Sequence, residues 1–424
     1  MTREDVQVVV EMFPAQHGDA FLIRVASDGR STNILVDAGP HATYRDVLRG
    51  RLVALAATGE NLRAFIVTHI DADHIEGALA FLEDNGPSAS PSVIQVKEVW
   101  HNSYRHLFHD GMVPTAEQAA RVQQQVLPRV VASTGDISAR QGSTLAALLR
   151  RHEYAWNAAF NGAAVTTLDG PRKVVLDDGI SLTLLSPRPG DLAALARLWR
   201  RELLSVGVQS NLVDGAAFEE SFERMLERES DLADAPDDEA TEISARELTE
   251  PPPASDFRED RSPSNGSSMA FLLEVGEKRA LFLGDAHPST IAAPLRQLIE
   301  TPVDLAVLKA SHHGSKKNTS PDFCSTFRTA HALISTDGSK HGHPDIETLL
   351  WLVSTQPGDG NRRCWQRICL FQRNRCRSGW RQRHGLLGCK RQRWSWRRCD
   401  LWITAIPVRC SSSAVLRRAA ALAV

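Results

Sequence analysis

Over most of its 424 residues the chain has little cysteine: six of its seven cysteines fall after residue 360, and only Cys324 precedes them. A disulfide framework is therefore excluded as the basis of the fold. No C-x-x-C pair occurs, which argues against a cysteine-based zinc module. No uninterrupted apolar run approaches the roughly 20 residues that span a bilayer. The first residues show no basic region leading into an apolar core and a small-residue cleavage site. These absences lead us to expect a cytoplasmic protein with no membrane segment. No repeat of fixed period is present either. An apolar share of 42% is enough for one large core or for two to three ordinary domains.

Charge is unevenly spread. From Glu219 to Asp260 there are sixteen acidic residues and the run Pro251-Pro252-Pro253, a composition that reads as a solvated, mobile insertion. From Asn361 to Val424, fifteen Arg and one Lys face the single acid Asp400; this +15 leaves −17 on the rest of a chain whose total is −2. The same end is rich in Trp, Cys, Gly and Ser and has no Glu. Those residue types share codons with a middle G, as expected of a GC-rich coding region read one base out of register. The alternative is a genuine Arg/Trp arm, with guanidinium groups on phosphates and indoles on bases. The organisation expected is one domain over 1–356, with a helical insertion at about 112–165 and the acidic insertion at about 219–265. An aberrant tail, disordered or frame-shifted, would follow over 357–424.

Hydrophobic patterning supplies the elements. VQVVVEMF, AFLIRV, NILVDAG and LRAFIVTH read as strands, and VIQVKEVW as a further buried strand. KVVLDDGISLTLLSP reads as a hairpin turning at Asp178-Gly179. MAFLLEVG, KRALFLGDA, VDLAVLKAS and HALISTDG are later strands. Helices are expected over Val53–Thr58, IEGALAFLED, parts of Thr115–Asn161, DLAALARLWRRELL and Asp345–Val353.

The stretch THIDADHIEG, Thr68 to Gly77, leaves the apolar strand with His69, Asp71, Asp73 and His74 at i, i+2, i+4 and i+5. Buried without cations, such a cluster would repel itself; between a strand end and a helix it can hold metal. Imidazole with carboxylate suits zinc, manganese or iron, whereas an all-oxygen set would suit magnesium or calcium. Similar residues end other apolar strands. Asp285 follows Leu281-Phe282-Leu283-Gly284, His312 and His313 follow Leu308-Lys309-Ala310-Ser311, and His343 lies between Gly342 and Pro344. Taken singly, each is as easily a turn residue.

In their order, HGDAFLI (17–23), ILVDAG (34–39), THIDADHIEG, FLGDA (282–286), LKASHHGS (308–315) and GHP (342–344) make the chain resemble the metallo-β-lactamase superfamily, and within it the hydrolase domain of competence-type DNA-uptake proteins. The resemblance implies an α/β fold, an αββα sandwich of two mixed β-sheets flanked by helices. It also implies a centre of two divalent metal ions, zinc or manganese. His69 and Asp71 would serve the first ion, Asp73 and His74 the second, and Asp285 would bridge them. His312 or His313 would complete the second site. Asp19 and Asp37 match residues that support ligands in the family. Asp71 stands where most of the superfamily has His; the extra carboxylate makes the first site harder and favours manganese. His101, His106 and His109 lie where a separate third-motif His is found in many members, but in no matching motif.

The activity implied is metal-dependent hydrolysis, with a phosphodiester or nucleic acid as the leading substrate. Asp73, or Asp285, would orient the attacking water, His343 would protonate the leaving group or position a substrate phosphate, and Lys309 and Lys316 would meet the phosphate. A hydrolase of a small ester, thioester, lactone or β-lactam is the first alternative, and a catalytically silent metal-binding or regulatory module the second. No protein partner is indicated.

Overall fold

Alternation decides which face each strand turns inward. In β1 (Gln7–Met12) Val8, Val10 and Met12 are buried, while Gln7, Val9 and Glu11 are half-buried. This is the period-two pattern of a strand packed on one side. The computed structural model describes residues 6–27, 29–107, 138–205, 252–329, 331–338, 340, 342–354, 367–370 and 401–405. β1 pairs antiparallel with β2 (Phe21–Ser27), and β2 with β3 (Arg30–Val36). β4 (Leu62–Ile66) and β5 (Val99–Trp100) continue the sheet in parallel.

The second sheet begins as the expected hairpin, β6 (Arg172–Asp177) and β7 (Ile180–Ser186), with Gly179 at φ +73° in the turn. β8 (Ala270–Val275) and β9 (Lys278–Phe282) extend it antiparallel. VDLAVLKAS, expected as one strand, forms two. β10 (Val303–Leu305) leaves to pair with β12 (Phe327–Thr329), whereas β11 (Val307–Lys309) lies between β9 and β13 (His331–Ile334), parallel to both. The break falls at Ala306, whose N–H is taken by the Arg279 carbonyl at 2.8 Å.

Neighbouring residues on these strands serve different cores. Val10, Phe21, Ile34 and Ile66 meet Leu182, Leu184, Phe271 and Phe282 between the sheets, where the Phe21 and Phe282 rings touch edge-on with centroids 6.0 Å apart. Leu22, Leu35 and Phe65 face the other way. They pack on Ile75, Phe81 and Leu82 of helix Ala72–Asn85, with Leu145, Leu149 and Trp199 of helices Ser138–Arg151 and Pro189–Ser205 alongside. On the far side Leu272, Leu281 and Leu308 meet Ile291 and Leu295 of helix Pro288–Leu298 and Trp351 and Leu352 of helix Ile346–Ser354. The result is the αββα sandwich. Each large side chain contributes about 1.5–3 kcal/mol on burial, and a one-residue slip would send every one to the wrong face.

Several expectations change. Of VIQVKEVW only Val99–Trp100 is strand, because the Asn85 side-chain oxygen accepts from the Val93 and Ile94 N–H groups that a ladder would need. The helix expected over Val53–Thr58 runs Arg49–Ala56 and follows a π-turn at Tyr44–Leu48. In the expected helical insertion the described helices are Ser138–Arg151 and a 3-10 turn at Ala158–Phe160; 108–137 lie outside the described residues. Most of the acidic stretch also lies outside them. Its end does not read as a solvated excursion, for Ser264 and Asn265 are buried and Asp260 is hydrogen-bonded into the fold. Two short stretches of the tail are strands. β14 (Arg367–Leu370) pairs parallel with β13, and β15 (Leu401–Ala405) with β1. RICL and LWITA contain the β-branched and aromatic residues that favour strands, and an edge strand needs only one partner. The rest of 357–424 lies outside the described residues. Among those described, no helix is long and apolar enough to cross a membrane.

Candidate metal centre

Five parallel strands end at one edge of the sandwich, and each is followed by residues of the site. β3 runs into Asp37, β4 into Thr68 and His69, β9 into Gly284 and Asp285, β11 into His312 and His313, and β13 into Ser335. Ligands gather at the carboxyl ends of parallel strands because the chain turns there without crossing the sheet.

Asp37 organises the first side. It has φ +54°, and its two carboxylate oxygens accept from the Thr68 N–H and the Thr68 hydroxyl, both at 2.7 Å. Asp71 directly precedes helix Ala72–Asn85, so Asp73 and His74 sit in its first turn. The helix lies close on the 37–39 turn, where a Cβ on Gly77 would fall 2.1 Å from the Ala38 carbonyl oxygen. Gly18 of the HGDA turn is equally tight on the Asp73 carbonyl, which leaves room for glycine alone. On the opposite side His312 and His313 both have left-handed backbone, φ +44° and +52°. For non-glycine residues that conformation is uncommon and costs about 1–3 kcal/mol each, a cost typical of functional sites.

Four imidazoles share one design. His74 Nδ1 donates to Asp37 Oδ2 at 2.9 Å, and His313 Nδ1 to the Ser335 carbonyl at 2.8 Å. His69 Nδ1 donates to the Thr68 hydroxyl oxygen at 3.1 Å, and His312 Nδ1 to Asn318 Oδ1 at 2.9 Å. With Nδ1 engaged, each ring turns Nε2 towards Asp285. The four distances are 3.5 Å from His74, 3.7 Å from His313, 3.8 Å from His69 and 3.9 Å from His312. Asp71 lies 3.5 Å from His69 Nε2, and Asp73 3.3 Å from His313 Nε2.

The donor set fits a divalent cation. Nε2 of His69, His74 and His313, together with Asp285 Oδ1, are buried and have no hydrogen-bond partner, an arrangement that is costly unless something fills the space between them. Two groups have all their donor atoms within 4.8 Å of one another: His69, His74 and Asp285, and Asp73, His74 and His313. A third group of that kind, Asp19, Asp37 and His74, lies on the Nδ1 side of His74 and supports the ring.

Electrostatics agree. Burial works against charge on Asp285, but His74, His313 and His312 outweigh it and hold the carboxyl well below the usual range. Burial likewise opposes charge on His313; Asp285, Asp19 and Asp73 overcome it and push the imidazole up to about 10. His74 is raised for the same reason, chiefly by Asp285 and Asp37 against its burial. The edge calls for positive charge.

Some expected residues take other places. Lys309 is 1% exposed, so its expected contact with a phosphodiester does not hold. Its ammonium forms an ion pair with Asp19, donates to the Gly284 carbonyl at 2.8 Å and lies 3.7 Å from Asp285. It is an internal cation beneath the centre. Lys316 is exposed and pairs with Glu347 at 2.9 Å. His343 lies at the rim, its ring centroid 5.5 Å from that of His312 and its Nδ1 3.5 Å from Asp345. His101 points elsewhere, with Nε2 3.2 Å from the Gly142 carbonyl, and His106 accepts from the Ser103 N–H through Nδ1. His109 lies outside the described residues.

Sequence reading missed Ser264, Asn265, Asp260 and Asn318. Ser264 donates to Asp71 at 2.5 Å, and Asp260 holds the amides of Asn265 and Asn318 at 2.7 and 3.1 Å. The run of small polar residues directly before β8 was the available signal. Residues 14–156 match the family model described as the metallo-beta-lactamase superfamily, and a comparison with curated proteins finds no match to the chain.

Proposed function

We propose that this metallo-β-lactamase-like chain is a metal-dependent phosphodiesterase with nucleic acid as its natural class of substrate. The observation that carries the reading is the convergence of four Nε2 atoms on the buried Asp285 carboxylate. Charge supports a pair of divalent ions. Asp19, Asp37, Asp71, Asp73 and Asp285 contribute five negative charges to the centre and its support, and Lys309 answers one. With the imidazoles neutral, as metal ligands must be, four remain, the charge of two divalent cations. His69 and Asp71 would hold one ion, Asp73, His74 and His313 the other, and Asp285 both. Zinc and manganese both suit this mixture of nitrogen and oxygen donors. When bound, such ions supply Lewis acidity and bring the pKa of a water towards neutrality.

The protein's own groups set the geometry. Asp37 and Ser335 fix the His74 and His313 rings. Asp73, one-fifth exposed at its side chain, is placed to orient the attacking water. His343, at the rim beside His312, would serve the leaving group. Three carboxylates facing a reacting phosphate would repel it without cations, so substrate binding and metal loading are coupled in this reading.

Metal analysis joined to a hydrolysis panel tests it. The panel comprises a chromogenic phosphodiester, single- and double-stranded DNA, RNA, a thioester and a β-lactam. Two metals per chain with turnover of phosphodiesters alone is expected. Turnover confined to the acyl substrates would replace the reading with an acyl hydrolase, and inactivity at full metal content with a silent module.

A further inference from the structure

His312 and His313 are neighbours in sequence but not in role. His313 is 5% exposed at its side chain and belongs to a compact donor group with Asp73 and His74. His312 is 25% exposed at its side chain and joins none of the close donor groups among the described residues. Its Nε2 faces the same Asp285 oxygen from the open side, at 3.9 Å.

Its other nitrogen is governed by a network outside the cluster. Asp260 Oδ2 accepts from the Asn318 amide nitrogen at 3.1 Å, and the Asp285 carbonyl accepts from the same nitrogen, also at 3.1 Å. With two acceptors on its nitrogen, the Asn318 amide has one orientation, and Oδ1 must face His312 Nδ1 at 2.9 Å. An oxygen there requires Nδ1 to carry hydrogen. The Asn265 amide nitrogen also approaches His312 Nδ1, at 3.3 Å, but it cannot donate to a nitrogen that is itself a donor, and the shorter contact decides. The Asn265 amide nitrogen donates instead to Asp260, at 2.7 Å. The neutral ring is therefore left with its lone pair on Nε2, beside the reacting edge.

The geometry points to a division of labour within the His-His pair: His313 holds metal, while His312 is the hydrogen-bond acceptor that faces water and substrate, its tautomer set by the positioning residues Asn318 and Asp260. The inference rests on the hydrolase reading for its catalytic consequence, but the tautomer and the metal count do not. Asp260 is the last residue of the acidic stretch, so the end of that stretch contributes to the centre through His312.

The test uses full-length protein labelled with 15N in histidine, with the His312 signals identified by loss in His312→Gln. In metal-free protein His312 should show the Nδ1–H tautomer. Asn318→Ala should release it into a mixture with Nε2–H, and the exchanged pair Asp260→Asn with Asn318→Asp should restore Nδ1–H, because an oxygen again faces the ring. His312→Gln should keep two metals per chain and lower kcat about a hundredfold, as for loss of a proton-handling group. His313→Gln should lose one metal. For Asn318→Ala we expect kcat to fall about tenfold at unchanged metal content, within the range for outer-shell changes. An Nε2–H tautomer in the wild-type protein, or an unaltered tautomer in Asn318→Ala, would overturn the assignment, as would metal loss in His312→Gln equal to that in His313→Gln. If every substrate of the panel is inert while tautomer and metal results hold, the hydrolase reading fails and the positioning network stands.

Discussion

The two walls of the centre are built in opposite ways. One is local: Asp37 ends β3, Thr68 to His74 follow β4, and the two strands are adjacent and parallel. The other draws Asp260, Asn265, Asp285, His312, His313 and Asn318 from segments scattered over nearly sixty positions, joined by side-chain amides and backbone carbonyls. The local wall presents rigid, fully buried His69 and His74 side chains. The assembled wall carries the left-handed backbone at His312 and His313 and the more open imidazole. A strand-to-helix turn can place ligands by itself, whereas the second wall must be held in place by distant groups.

Beneath both walls lies Lys309, and removing it should have the largest effect. Lys309→Met leaves Asp19 as a buried carboxylate without its cation, which should cost about 3–5 kcal/mol in urea denaturation of the metal-free protein. Asp19→Asn combined with Lys309→Met should recover most of that loss. A single variant as stable as wild type would mean that the pair contributes nothing, and that the walls stand without a common base.

Asp285 joins the walls, and Asp285→Asn keeps its size while removing its charge. Metal content should fall from about two towards one per chain, with turnover down roughly a hundredfold, as for loss of a main electrostatic element. Two tightly bound metals in this variant would break the idea of a shared carboxylate.

Both walls should respond to pH in the same direction. His74 and His313 gain basicity on folding, with His313 pushed up to about 10. Their stabilising charge in metal-free protein is fully present below the unfolded value of about 6.5. It is lost as pH rises towards 10, so metal-free stability should decline across that window. Metal must displace the same protons, so affinity should rise with pH, by up to about tenfold per unit for each proton released. Calorimetry in buffers of different ionisation enthalpy measures that release; loading without proton release would remove both imidazoles from the metal.

The smallest effect should come from Lys316. Its exposed pair with Glu347 stabilises by no more than about 1 kcal/mol. Lys316→Ala should leave metal content and stability near wild type and alter only the KM for phosphodiesters. A loss of metal would show that this loop supports the assembled wall.

What the sequence by itself determined is the part whose cause is local. Alternating apolar residues set the strands, and the Asp178-Gly179 turn set the hairpin. The spacing of His69, Asp71, Asp73 and His74 marked a strand end feeding a helix, and the family resemblance carried by the ordered segments implied the sandwich. Tertiary structure alone decided the rest. Lys309 read as a contact for the substrate phosphate, because nothing in its neighbours says that β11 is central and that Asp19 waits beneath it. VIQVKEVW looked like a full strand, because the Asn85 amide that takes its N–H groups lies on a preceding helix. Asp260 read as one of sixteen solvated acids, yet it orients two amides next to His312. Hydrogen bonds of this kind reach from eight positions along the chain, between Asn85 and Val93, to 58, between Asp260 and Asn318, and a pattern along the chain has no term for them until packing has brought the partners together.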